Sequence, residues 1–279
     1  MALRRAAHQV HDAQPLVFDD PLAVKILGPE FAEEIRRTPA AEKRPFSAAL
    51  RAFMVCRARL AEDVLAESVR ENGVRQYVVL GAGLDTFAYR NKFAGVKVFE
   101  VDHPATQAWK RERLKAAGIR VPETMQFVAV NFETMSLRQE LLRAGFDFDV
   151  PAAVAWLGVV PYLTAEGFAA TMRVLERMAP GSSVVFDYSQ PREVLPAVEQ
   201  MMLDSIAARV AQAGEPFQLF FTPQQLGEEM ERYGWRVVED LDGRSLNALY
   251  LAGRTDGLTL RGSAGRVCHA RTAIDGENL

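Results

Sequence analysis

Between residues 73 and 188 the chain alternates short apolar runs with helical stretches, five times over. The runs fall at residues 76–80, 96–102, 126–130, 152–160 and 183–188. The fourth carries no polar side chain, as expected of a strand covered on both faces in a parallel sheet. Repetition of strand then helix restricts the chain to one architecture, an α/β domain with a doubly wound, mostly parallel sheet.

The flanks read differently. Residues 1–72 hold no strand pattern. Asp19-Asp20-Pro21 opens a short helix that ends near Gly28-Pro29, and a second is expected over 30–37. A longer helix is expected over 46–72, closed by Gly73. Phe46, Leu50, Phe53, Leu60 and Val64 lie on one face of it, and Arg57 stands where that apolar stripe should continue. A permanent charge pointing inward needs a partner. An internal carboxylate would serve, and so would the carboxylate of a ligand.

After Tyr188 a long amphipathic helix is expected over 193–212, too long for a simple connection. Thr222-Pro223-Gln224-Gln225 reads as a capping-box start of a helix to about Tyr233. Two last strands are expected at 235–240 and 248–253, forming an antiparallel edge, with a weakly patterned tail beyond. The expected organisation is thus a helical cap over 1–72, the α/β domain over 73–262 with a helical insertion at about 189–221, and a tail over 263–279.

Composition narrows the function classes. Lys and Arg total 33 against 36 Asp and Glu, a formal charge of −3. That balance gives no footprint for nucleic acid and no polybasic membrane patch. The apolar stretch 150–163 is too short to span a bilayer and contains Pro151 and Pro161. Arg4 and Arg5 are not followed by the apolar segment of a secretory signal. Cys56 and Cys268 are far apart and read as reduced structural thiols. A soluble, cytoplasmic protein is expected, with no metal site; its oligomeric state stays open.

The local pattern richest in chemistry is strand, Gly81-Ala82-Gly83-Leu84-Asp85-Thr86, helix, strand, acid. Glycines allow a sharp turn and close approach to a ligand, and a helix N-terminus behind them would favour negative charge. Asp102 ends the second strand about 20 residues on, where a carboxylate grips the ribose hydroxyls of a nucleotide. Glu100 shares its side-chain parity but lies deeper. Thr86 stands where a dinucleotide fingerprint has its third glycine. S-adenosylmethionine has no phosphate, and needs only adenosine recognition and partners for its carboxylate and amine. Arg57 is a candidate for the carboxylate. Asn131, at the end of the third strand, is a candidate for the adenine amino group or simply a turn residue.

Val78-Val79-Leu80-Gly81-Ala82-Gly83-Leu84-Asp85-Thr86, Ala88-Tyr89-Arg90 and Phe99-Glu100-Val101-Asp102-His103-Pro104 together resemble the leucine carboxyl methyltransferase-like family. That branch of the S-adenosylmethionine-dependent methyltransferases includes the tetracenomycin-type polyketide O-methyltransferases. The resemblance continues through Trp156-Leu157-Gly158-Val159-Val160-Pro161-Tyr162-Leu163-Thr164, Phe186-Asp187-Tyr188 and Gly214-Glu215-Pro216-Phe217, and upstream through Asp20-Pro21-Leu22-Ala23 and Arg57. It implies a Rossmann-like methyltransferase sheet that binds S-adenosyl-L-methionine and releases S-adenosyl-L-homocysteine. By position it gives Arg57 the methionine carboxylate, and Gly81, Ala82 and Gly83 the loop beneath the methionine. Asp102 takes the ribose, with His103 in the pocket wall, and Asn131-Phe132 take the adenine edge. The family often has Asp at Asn131, and often Glu at Leu157, where the side chain faces the cofactor. Leucine cannot make the polar contact there, although Trp-Leu-Gly also occurs among relatives.

The reaction so implied is in-line transfer of the sulfonium methyl to an oxygen, with a carboxylate of a small molecule or peptide terminus as acceptor. A carboxylate is ionised at neutral pH and needs no general base. No residue is nominated as a base. The acceptor pocket is expected under the N-terminal helices and the insertion, with Tyr162, Tyr188 and Arg209 as candidate contacts. The rival readings are a nicotinamide-dependent oxidoreductase and a non-catalytic cofactor-binding protein.

Overall fold

The computed structural model describes residues 1–37, 45–132, 134–212 and 214–273. The N-terminal part is helical: α1 (Ala2–His11), α2 (Ala23–Leu27), α3 (Pro29–Arg37) and the 27-residue α4 (Pro45–Glu71). Then come β1 (Gln76–Leu80), β2 (Lys97–Asp102), α5 (Pro104–Ala116), β3 (Met125–Ala129), α6 (Leu137–Arg143), β4 (Ala153–Trp156), α7 (Ala165–Leu175) and β5 (Ser183–Ser189). The chain closes with α8 (Ala197–Gln212), α9 (Pro223–Arg232), β6 (Trp235–Leu241) and β7 (Gly265–Thr272).

The seven strands form one sheet in the order β3-β2-β1-β4-β5-β7-β6. β1 to β5 run parallel, and β7 pairs antiparallel with both β5 and β6. Strand parity splits the core in two. Tyr77 and Val79 of β1 pack with Val55, Leu60 and Val64 of α4, whereas Val78 and Leu80 pack with Phe99, Trp156 and Met172 on the opposite face. Both faces are covered, as the unbroken apolar strands require. Strand order reverses between β1 and β4, and the carboxyl ends on either side of such a reversal leave a crevice.

Three expectations change. No α-helix follows the glycine turn: only a 3-10 turn forms, at Phe87–Tyr89. Asp85 Oδ1 accepts from the Phe87 amide (2.8 Å), a backbone group that a helix would use, while the Thr86 hydroxyl donates to Asp20 of the N-terminal cap (2.7 Å). The apolar run 152–160 yields strand only to Trp156; Gly158 (φ +73°) and Pro161 then turn the chain out of the ladder.

The third change concerns the last strand. Residues 248–253 are not extended, since Asn247–Leu251 makes a π-helical turn. The stretch expected to be a tail instead supplies β7, seated between β5 and β6. Its Val267, Cys268 and Ala270 are buried, but Arg266, His269 and Arg271 interrupt them and hide the strand period. Each charge has a partner beyond the strand: Arg266 with Asp240 (3.0 Å), Arg271 with Glu67 (2.6 Å). The helix α1 was also without a sequence signal.

Candidate functional site

The glycine turn closes over the end of β2. The amides of Gly81 and Ala82 both donate to the Val101 carbonyl (2.9 and 3.1 Å), with Gly81 at φ +67° and Gly83 at φ +47°. A Cβ on Gly81 would run into the Val159 side chain, so this turn admits no larger residue without displacing the loop after β4. Gly83 donates its amide to Asp102 Oδ2 (2.5 Å), and His103 donates its own to Oδ1 (2.7 Å). The carboxylate is thereby pinned at the tip of β2, with lone pairs left over.

Glu100, the alternative acid, is fully buried against Lys110 Nζ (2.7 Å) and the Tyr89 hydroxyl (3.1 Å). Burial pushes its carboxyl up to about 7 despite the opposing pull of Lys110. It is a core ion pair, and Asp102 is the accessible acid. His103 is exposed and caps α5 through Nδ1, which accepts from the Ala105 amide (3.2 Å). Asn131 and Phe132 follow β3, whose Ala129 pairs with Asp102, and Phe132 is 54% exposed.

A cavity of about 190 Å³ sits on this turn. Gly81, Ala82, Gly83 and Leu157 line it, with the charged side chains Arg5, Arg57, Glu62 and Asp85 and the Met1 amino group, whose pKa burial and then Arg57 lower to about 6. Among the side chains two cations face two anions. Asp85 is tied to Arg5 (2.8 Å); burial alone would raise its pKa, but Arg5, Lys110 and Arg90 hold it below the usual carboxylate range. Glu62 pairs with Arg90, and burial outweighs that pairing and moves its carboxyl up. A balanced lining suits a zwitterion better than a dianionic pyrophosphate, and no helix N-terminus stands behind the turn to compensate a phosphate.

Arg57 is 5% exposed, and its Nη1 donates to Asp187 Oδ2 at 2.5 Å. Asp187, 4% exposed on β5, also accepts the Gly158 amide through Oδ1 at 2.6 Å. The two charges that sequence leaves stranded in apolar settings, Arg57 on a helix stripe and Asp187 within Phe186-Asp187-Tyr188, thus answer each other across the core. Asp187 is the site residue that sequence reasoning missed. Its signal was there, as a lone carboxylate on an otherwise apolar strand. Gly158 must stay bare, because a Cβ there would lie 2.8 Å from Arg57 Nη2.

Arg57 and Gly158 also line a second cavity of about 270 Å³. Its wall carries Phe46, Leu50 and Phe53 of α4, Ile206 and Val210 of α8, and Phe217. Tyr162 lies in it, half-buried, its ring 5.2 Å from that of Phe217; burial raises its hydroxyl pKa. Tyr188 borders it too, but its hydroxyl donates to Asp240 (2.8 Å). Arg209 is exposed at the rim, its guanidinium 5.7 Å from the Phe46 ring centre. The structure therefore gathers Arg57, Gly81, Ala82, Gly83 and Leu157 at one cavity, and Arg57, Tyr162, Tyr188 and Arg209 at the other. Asp102, His103, Asn131 and Phe132 lie beyond the glycine turn, lining neither.

Cys56 and Cys268 are buried free thiols, and burial raises that of Cys56 to about 12. Among the described residues no group of three His, Cys, Asp or Glu side chains is placed to hold a metal ion. No described helix is long and apolar enough to cross a membrane.

The sequence model of the family described as leucine carboxyl methyltransferase matches residues 1–176, from the cap through α7. The chain belongs to the leucine carboxyl methyltransferase family. A Bacillus subtilis relative, YktD, named for S-adenosyl-L-methionine-dependent methyl transfer, is 31% identical over 92% of this chain and 91% of its own. A similarly named Mycolicibacterium smegmatis protein is 30% identical over 79% of this chain and 70% of its own. Solved structures agree on the fold. A DUF574 family protein of Streptomyces avermitilis superposes with a TM-score of 0.60 at 18% identity, covering 96% of each chain. A Thermobifida fusca protein assigned to the methyltransferases gives 0.55 at 20% identity, covering 95% of this chain and 96% of its own. The family match contains every residue of the smaller cavity but stops before Asp187, α8 and Phe217 of the larger.

Proposed function

We propose that this S-adenosyl-L-methionine-dependent methyltransferase methylates a carboxylate oxygen, on a small molecule or a peptide terminus. The observation that carries the reading is the pair of cavities meeting at Arg57 and Gly158: a charge-balanced one on the glycine turn and an apolar one beside it. The first suits the zwitterionic methionine end of the cofactor. Arg57, with one nitrogen on Asp187, keeps further N–H groups for the methionine carboxylate. Asp102 offers its lone pairs to the ribose, and Asn131 and Phe132 stand at the next strand end for the adenine. His103 contributes as the cap that sets the start of α5.

When bound, the cofactor supplies an electrophilic methyl group. The residues of the chain position it and exclude water. An ionised carboxylate already carries the electron pair that attacks, so no proton has to move. Catalysis then rests on orientation and desolvation, effects worth up to roughly 7–11 kcal/mol in favourable cases. The Tyr188 hydroxyl is bound to Asp240, and Asp187 is held by Arg57 and the Gly158 amide.

The test is the chemistry of the product. With S-adenosylmethionine labelled in its methyl group, a methylated carboxylate releases volatile methanol in mild base. A methyl ether or methylamine keeps its label. Base-labile counts are expected; label that survives base treatment would contradict carboxylate methylation.

A further inference from the structure

Resting on that reading, we infer that the acceptor is a small apolar carboxylic acid, an aryl or alkyl acid, and not a peptide terminus. The wall of the larger cavity favours such an acid. Phe46, Leu50, Phe53, Ile206, Phe217 and Leu260 line it. Its polar side chains are largely engaged already: the Tyr188 hydroxyl by Asp240, both Asp187 oxygens by Gly158 and Arg57, and Glu199 Oε2 by the Ser263 amide and hydroxyl. Arg209 and Arg261 are exposed, at the rim.

Every residue of a peptide brings one N–H and one C=O that must be paired when buried. Leaving such a group unpaired costs roughly 1–3 kcal/mol, so a peptide seated in this wall loses affinity with each residue inside it. An aryl or alkyl body loses nothing polar and gains contact with the wall. At the inner end, Arg57 and Tyr162 face the acceptor carboxylate, beside the boundary with the cofactor cavity. The cavity of about 270 Å³ accommodates a compact body of this kind.

The experiment is calorimetric titration of the S-adenosylhomocysteine-loaded protein with 4-phenylbutyrate, decanoate and an apolar tripeptide bearing a free C-terminus. The acids are expected to bind saturably, at least about tenfold more tightly than the tripeptide. Ile206→Asp, on a helix with one fully buried residue and so tolerant of substitution, places a charge in the wall. It is expected to weaken both acids by about tenfold while S-adenosylhomocysteine affinity stays unchanged. A tripeptide that binds as tightly as the acids overturns the inference, as does acid affinity indifferent to Ile206→Asp. Acids that bind as expected but never receive the label overturn carboxylate methylation and leave the cavity assignment standing.

Discussion

The two cavities that meet at Arg57 are built in opposite ways. The smaller has a floor of backbone and strand ends, Gly81, Ala82 and Gly83 after β1 and Leu157 and Gly158 after β4, against which α1 and α4 set Arg5, Arg57 and Glu62. The larger is made of side chains drawn from α4, α8, the loop at Phe217 and the segment at Leu260. The first carries balanced charges and the second is apolar. A fold can hold its strand-end crevice constant while helices and loops around it change, which is how one sheet serves many acceptors. The family match ending at residue 176 follows the same division.

Arg57 is where the division can be broken most severely. Arg57→Ala leaves Asp187 as a buried charge with only the Gly158 amide, and is expected to destabilise the fold by about 3–5 kcal/mol. Denaturant unfolding reads that loss. Calorimetry should also show S-adenosylhomocysteine binding weakened by about a hundredfold. Unchanged affinity would remove Arg57 from the cofactor's contacts. Arg57→Lys should recover part of the stability and little of the affinity, because a single ammonium cannot serve two partners as a fork does.

Gly158→Ala sharpens the comparison from the backbone side. The added methyl would sit 2.8 Å from Arg57 Nη2, at a φ of +73° that alanine disfavours. A loss of about 1–3 kcal/mol is expected, with weaker binding of both cofactor and acceptor, since Gly158 lines both cavities. Weakening of one ligand alone would show that the cavities are not joined there.

Tyr188→Phe probes the larger cavity alone. Removing the bond to Asp240 should cost about 1–2 kcal/mol by denaturant titration. It should leave kcat close to wild type, because the hydroxyl is turned to Asp240. A large fall in kcat would make Tyr188 a participant. The smallest effect is expected of pH. Transfer to a carboxylate should be flat from about pH 7.5 to 9.5, because the acceptor is fully ionised and burial keeps the Tyr162 and Tyr188 hydroxyls above their ordinary value of about 10. A rate that climbs with pH would point to a hydroxyl acceptor.

The same contrast explains what sequence could show. Local grammar marks the smaller cavity: a strand, Gly-Ala-Gly, and an acid at the next strand end are consecutive features, and Asp102 and the turn stand where that grammar puts them. The helix expected behind the turn gives way to a 3-10 turn, in which Asp85 caps the Phe87 amide locally and Asp20 of the cap, 66 positions away, holds Thr86. The larger cavity brings residues 46 and 260 to one wall, and no period connects them. Arg57 stood out as a misplaced charge and Asp187 did not, because their pairing spans 130 positions and only the fold supplies it. β7 escaped because Arg266, His269 and Arg271 break its apolar alternation, with carboxylates on β6 and α4 answering them.

The central claim is that the cofactor lies on the glycine turn with its ribose at Asp102, apart from the apolar acceptor cavity, and one titration tests it most directly. S-adenosylhomocysteine is titrated into wild type, Asp102→Ala and Ile206→Asp. Asp102→Ala removes the pinned carboxylate at the tip of β2 and should weaken binding by about ten- to a hundredfold, whereas Ile206→Asp should bind as wild type does. Wild-type affinity in Asp102→Ala, or a comparable loss in Ile206→Asp, would contradict it.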